Sequence, residues 1–135
     1  MNVNDLDTPH LVVDLDGMED NLNRYQAYFD EHGIGLRPHI KTHKCLAIAH
    51  MQMARGAIGI TCQKLGEAEV MVNGGVDEDV LIPFNIIGEQ KLRRLVALTK
   101  RTKLTVAADS EYTIRGLSEA TSKAGVEVVV VIELD

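Results

Sequence analysis

Five side chains able to do chemistry fall within eight residues: Arg37, His39, Lys41, His43 and Lys44, in the run Leu36-Arg37-Pro38-His39-Ile40-Lys41-Thr42-His43-Lys44-Cys45. Side chains alternate along a strand, so Arg37, His39 and Lys41 share one face and Leu36, Pro38 and Ile40 the other. With the apolar set packed under helices, the basic set faces a crevice or a barrel interior. Lys41 then sits at the strand's C-terminal end, where α/β proteins bind their ligands. A lysine amine held there, partly desolvated and near other cations, is a nucleophile toward carbonyl groups. The same residues also suit a basic edge strand, and spacing alone leaves both readings open. His39 and His43 lie four apart, a metal-binding spacing on a helix, but Pro38 argues against a helix here. No metal ligand is therefore assigned, and His43 is a candidate for the rim of a pocket.

A second segment, Thr61-Cys62-Gln63-Lys64-Leu65-Gly66-Glu67-Ala68-Glu69, places Gln63 just after another strand end. A neutral amide there suits either a hydrogen bond to a small ligand or a plain helix cap. Asp109-Ser110-Glu111 reads as a helix cap before it reads as catalysis. No glycine-rich phosphate loop and no serine nucleophile elbow occurs in the chain.

The elements that must position these residues follow from the hydrophobic pattern. Strands are expected at residues 11–15, 35–41, 57–62, 79–84, 103–108 and 126–134, separated by helical stretches. Met18, Leu22, Tyr25 and Phe29 form one helical stripe, stopped by Gly33; Leu46, Ala49 and Met53 form the next, capped by Thr42 and ended near Gly56. A third helix, from about Lys64 to Asn73, stops at Gly74-Gly75. The fourth buries Leu92, Leu95 and Val96, and the fifth buries Ile114, Leu117 and Thr121. The β-branched last strand is expected to be buried on both faces. Strand ends recur roughly every two dozen residues, the period of parallel βα units with right-handed crossovers. An open doubly wound sheet and a (β/α) barrel both satisfy that period. The fold class is α/β.

The bulk numbers narrow the function classes. The chain has 135 residues, 45% hydrophobic and 25% charged, with a formal charge of −6. That is room for one domain, and an acidic balance argues against nucleic acid as the main partner. The longest apolar run is strand-sized, so no membrane partner is expected, and no leader is read at the N-terminus. Cys45 and Cys62 form no CxxC pair and are read as reduced cytoplasmic thiols.

Three segments, in order and at family-like spacing, carry a resemblance: residues 7–16 (Asp-Thr-Pro-His-Leu-Val-Val-Asp-Leu-Asp), Arg37 to Lys44, and Thr61 to Glu69. With them the chain resembles the N-terminal barrel of fold-type III pyridoxal phosphate enzymes, the alanine racemase group. Within it, the likeness is to the D-threonine aldolase and D-serine dehydratase branch. The resemblance implies a (β/α)8, TIM-type barrel, of which residues 17–135 supply about five strands, with residues 1–16 belonging to a separate β-domain. It implies that Lys41 is the catalytic lysine that forms the internal aldimine, with His39 beside it in the cofactor site and Gln63 and His43 at the pocket rim. The implied reaction is retro-aldol cleavage of a D-threonine-like 3-hydroxy amino acid to glycine and an aldehyde. The alternative is β-elimination from a D-serine-like substrate to a 2-oxo acid and ammonia. A divalent metal and a homodimer are further implied for the complete enzyme, with no metal ligand carried onto this sequence. Because the last barrel strands are expected beyond residue 135, the chain reads as an N-terminal fragment without turnover of its own. A non-catalytic fragment and a small α/β binding module are the readings that compete with an enzyme.

Overall fold

The computed structural model describes residues 2–134. Met1 and Asp135, the outer bounds of the two expected segments, lie outside the described residues. Five helices, α1 (Leu15–Glu31), α2 (Leu46–Ala54), α3 (Leu65–Asn73), α4 (Glu89–Thr99) and α5 (Glu111–Ala124), accompany four strands. The strands are β1 (Ile60–Thr61), β2 (Asp79–Ile82), β3 (Lys103–Ala108) and β4 (Val129–Ile132). All neighbours are parallel and the spatial order is β1-β2-β3-β4. This order decides between the two architectures that the βα period allows. A doubly wound sheet reverses its strand order at a switch point, whereas sequential order with crossovers of one hand is the arrangement of a (β/α) barrel.

Register sorts the side chains into two sets. Ile60, Val80, Leu104, Ile82, Val106 and Ala108 join helix residues Leu65, Ala68, Met71, Val72, Leu95, Leu98 and Leu117 in one core. On the opposite face, Thr61, Leu81, Thr105 and Val129 form a cross-sheet row. The segment 36–39 runs beside β1 as a fifth, minimal strand. It contributes one parallel bridge, His39 to Thr61, with hydrogen bonds from Ile58 N to Leu36 O (2.9 Å) and from Thr61 N to Pro38 O (2.8 Å).

Several expectations need correction, among them Tyr25 and Ile114, which were expected on the inner faces of their helices and are exposed. The apolar run Leu11-Val12-Val13 forms no strand among the described residues; its side chains are exposed, and Leu15 already begins α1, capped by Asp14. A strand exists only by pairing, and nothing described here pairs with that run. The strand expected at 35–41 is cut short by a 3-10 turn at Ile40–Thr42. Thr42 lies in that turn, and the N-cap of α2 is Cys45, which makes no side-chain capping bond. Finally, β4 is not buried on both faces: Val128 and Val130 pack on the core, while Val129 and Val131 are about half exposed. As the last strand in the order it has β3 on one side only.

At the N-terminal end of the sheet lies an ion cluster. Arg37 Nη1 donates to Asp79 Oδ1 (2.8 Å) and to Asp79 O (3.1 Å), and Lys103 Nζ donates to Asp79 Oδ2 (2.7 Å). Gly59, at φ +149°, makes room for it; a Cβ there would collide with the Asp79 carbonyl and the Arg37 guanidinium. Burial works to raise the Asp79 carboxyl, but the hydrogen bonds from Lys103 and Arg37 outweigh it and hold the group below its ordinary value. A carboxyl depressed on folding stabilises the fold above its unfolded pKa, and that stabilisation drains away as pH falls through the folded value. Asp79→Asn is therefore expected to lower the melting temperature at pH 7 and to shrink the loss of stability on going to pH 3. Thermal melts at the two pH values check both effects.

Candidate functional site

Sequential parallel strands put every β-to-α turn on one rim, and the chemistry-bearing residues gather there. The turn Ile40–Thr42 carries Lys41, Gln63 follows β1, Asn85 follows β2, and Asp109 follows β3. Ile40 anchors the first of these turns because it is fully buried among the helix-facing residues. Lys41, next to it, is exposed. Its amine donates to Gln63 Oε1 at 3.4 Å and makes no ion pair among the described residues. The two rim residues singled out from separate segments thus meet.

Lys44 is treated differently. It takes the left-handed conformation, φ +48°, uncommon for a residue with a Cβ. Its amide closes the turn onto Ile40 O (2.8 Å), and its ammonium lies 3.1 Å from Glu67 Oε1. Glu67 Oε2 accepts the Gln63 backbone N–H at 2.8 Å. Burial favours the neutral acid, but the Lys44 ammonium and the Gln63 amide outweigh it and hold the Glu67 carboxyl below its ordinary value. Glu67 had no role in the sequence reading. The available signal was its position three residues after the N-cap Lys64, where a Glu reaches back to amides at the helix start.

The two histidines act locally. His39 Nδ1 accepts the Lys41 backbone N–H (3.3 Å), and His43 Nδ1 accepts that of Cys45 (3.0 Å). Each is a ring nitrogen fixing the backbone two residues on, one at each end of the turn that bears Lys41. Among the described residues no group of three or more His, Cys, Asp or Glu side chains is gathered as a metal site. His43 Nε2 and Gln52 Oε1 are both buried without a well-formed hydrogen bond. Burial lowers the His43 ring from its ordinary value, opposed by the Gln52 side chain, which favours the protonated form. Arg37, expected on the same face as Lys41, is instead paired with Asp79 at the N-terminal end of β2. Proximity of Arg37 does not activate Lys41.

Asp109 neither caps α5, which Ser110 does, nor stands free. Its carboxylate accepts Asn85 Nδ2 at 2.6 Å while its amide donates to Asn85 Oδ1 at 3.3 Å, joining the turns after β2 and β3.

Both cysteines are free, Cys45 exposed and Cys62 fully buried beneath the rim. Burial, with a smaller push from the Glu67 carboxylate, raises the Cys62 thiol to about 12. Iodoacetamide at pH 8 is therefore expected to alkylate Cys45 and spare Cys62 until denaturant is added, as counted by intact mass. Two rapid additions to the native chain would contradict this placement.

The model for "Alanine racemase, N-terminal domain" matches residues 13–135. A D-threonine aldolase from an Arthrobacter species is 42% identical over 130 residues, 96% of this chain and 34% of that protein. The crystal structure of D-threonine aldolase from Filomicrobium marinum superposes with a TM-score of 0.94 at 45% identity, covering 98% of this chain and 36% of that one. The D-threo-3-hydroxyaspartate dehydratase from Delftia sp. HT23 superposes with a TM-score of 0.86 at 35% identity, covering 95% and 34%. The chain spans about a third of the length of the relatives it matches. No helix among the described residues is long and apolar enough to cross a membrane.

Proposed function

The chain belongs to the alanine racemase N-terminal domain family, and from that premise we propose that it carries the cofactor lysine of a pyridoxal phosphate-dependent lyase acting on D-3-hydroxy amino acids. The observation that carries this reading is the contrast between two lysines three residues apart. Lys44 is paired with a buried carboxylate, whereas the Lys41 amine is exposed at the rim against a neutral amide oxygen. An amine without a carboxylate partner among the described residues is the donor chemistry that an aldehyde cofactor requires, so the residues fit the group. Lys41 would hold the cofactor through its aldehyde carbon, with Gln63 alongside. When bound, the cofactor supplies an electron sink for the amino acid's carbon skeleton.

The chain's own residues then have defined tasks. Gln63 Oε1 orients the Lys41 amine by accepting its N–H. Lys41 Nζ would move a proton to or from the substrate. His39 and His43 fix the backbone on either side of Lys41, and the Asn85–Asp109 pair keeps the neighbouring turns of the rim in register. Retro-aldol cleavage is the first reading because the likeness to D-threonine aldolases is the stronger. The likeness to a 3-hydroxyaspartate dehydratase supports β-elimination as the second. Both reactions begin from a D-amino acid with a β-hydroxyl, and they part in which bond to Cα or Cβ breaks.

The full chain with pyridoxal phosphate is expected to develop the cofactor's visible absorption band. Lys41→Ala should abolish the band, while Lys44→Ala keeps it; in the complete enzyme, Lys41→Ala should also lower turnover of D-threonine or D-threo-3-hydroxyaspartate by about a hundredfold or more. Product analysis separates the two reactions: glycine plus aldehyde for the aldolase, 2-oxo acid plus ammonia for the dehydratase. A band that survives Lys41→Ala and disappears in Lys44→Ala would overturn the assignment.

A further inference from the structure

Two amines flank one turn of the rim, on residues three apart, and a cofactor aldehyde is held by one of them. We propose that Glu67 makes that selection: it withdraws Lys44 from reaction and, with the same carboxylate, holds the turn that presents Gln63 to Lys41. The proposal rests on the reading of Lys41 as the cofactor lysine.

The geometry assigns the two tasks to the two oxygens. Oε1 takes the Lys44 ammonium and Oε2 takes the Gln63 backbone N–H. The Glu67 side chain is only 8% exposed, so an ionised carboxylate there depends on these two hydrogen-bond partners, with a smaller charge contribution from Lys64, whereas Lys44 is 58% exposed and reachable. The left-handed backbone of Lys44 accompanies this pairing: its amide closes back onto Ile40 while its side chain reaches α3. The turn is thereby divided, Lys41 reaching Gln63 and Lys44 reaching Glu67.

For an amine to take an aldehyde, the ammonium first loses a proton, its nitrogen lone pair attacks the carbonyl carbon, and a C=N bond replaces the C=O as the oxygen leaves as water with the two protons the nitrogen gives up. Lys44 could do this only by surrendering its place beside Glu67, leaving a buried carboxylate with a single amide partner. Leaving a buried carboxylate short of a partner is the costly direction. Lys41 loses only a long hydrogen bond to a neutral oxygen. Glu67 is thus a positioning residue, acting through Lys44 and through the Gln63 turn.

Competitive acylation with isotopically labelled acetic anhydride tests the pairing in the full chain without any cofactor. Lys44 is expected to acetylate about threefold or more slowly than Lys100 and Lys123, which are exposed and form no ion pair among the described residues. Equal rates would overturn the proposal, and this arm needs no variant. In Glu67→Gln, which keeps an acceptor for Gln63 N–H but removes the charge, Lys44 should speed up by a similar factor. When that variant is incubated with pyridoxal phosphate and reduced, the share of label on Lys44 should rise as well. Label confined to Lys41 in a folded Glu67→Gln would overturn the role of Glu67 alone. Label mainly on Lys44 in the wild-type chain would overturn the reading of Lys41, and the selection with it.

Discussion

A parallel strand cannot turn straight back to its neighbour; the chain must cross over, through a helix, to the end where it started. Four strands joined in this way, in sequential order, deliver all their exits to one rim and all their entries to the other. The residues with chemistry therefore need no contact in sequence. Lys41 and Gln63 come from separate segments, as do Asn85 and Asp109, and each pair meets because adjacent exits are neighbours. Family membership and the structural likeness to D-threonine aldolase agree with this architecture.

The two ends of the sheet handle positive charge in opposite ways. At the entry end, Arg37 and Lys103 converge on Asp79, and their cations are consumed in tying the segment 36–39 and β3 to β2. At the exit end, the Glu67 carboxylate serves Lys44, and Lys41 meets only an amide oxygen. An amine left in that condition is available for covalent chemistry. The basic run that begins at Arg37 is thus divided by the fold into a structural cation, an amine without a carboxylate partner among the described residues and an ion-paired amine.

Much of the fold was legible in the sequence because helical stripes and strand runs have distinct periods. The bounds of β3, Lys103–Ala108, and the stops at Gly74 and Gly125 follow from local chemistry alone. The misread elements share a cause, since a strand's status depends on its neighbours. Leu11-Val12-Val13 has the composition of a strand and no partner among the described residues, and the β-branched run in β4 looks doubly buried yet occupies the last place in the order. At the site, the expected strand alternation gives way to a 3-10 turn in which Ile40 is buried and Lys41 exposed, and composition could not say which cations would be neutralised. That depended on Asp79 and Glu67, both distant in sequence and recognisable only once the strands are laid side by side.

The central claim is that the fold leaves one particular amine, Lys41, free to take an aldehyde. The most direct measurement is to incubate the full chain with pyridoxal phosphate, reduce with borohydride, and locate the pyridoxyl mass increment by peptide sequencing. The account predicts the increment on Lys41 in the peptide spanning residues 38–44, with Lys44 unmodified. An increment on Lys44, on another lysine, or scattered over several lysines would contradict it.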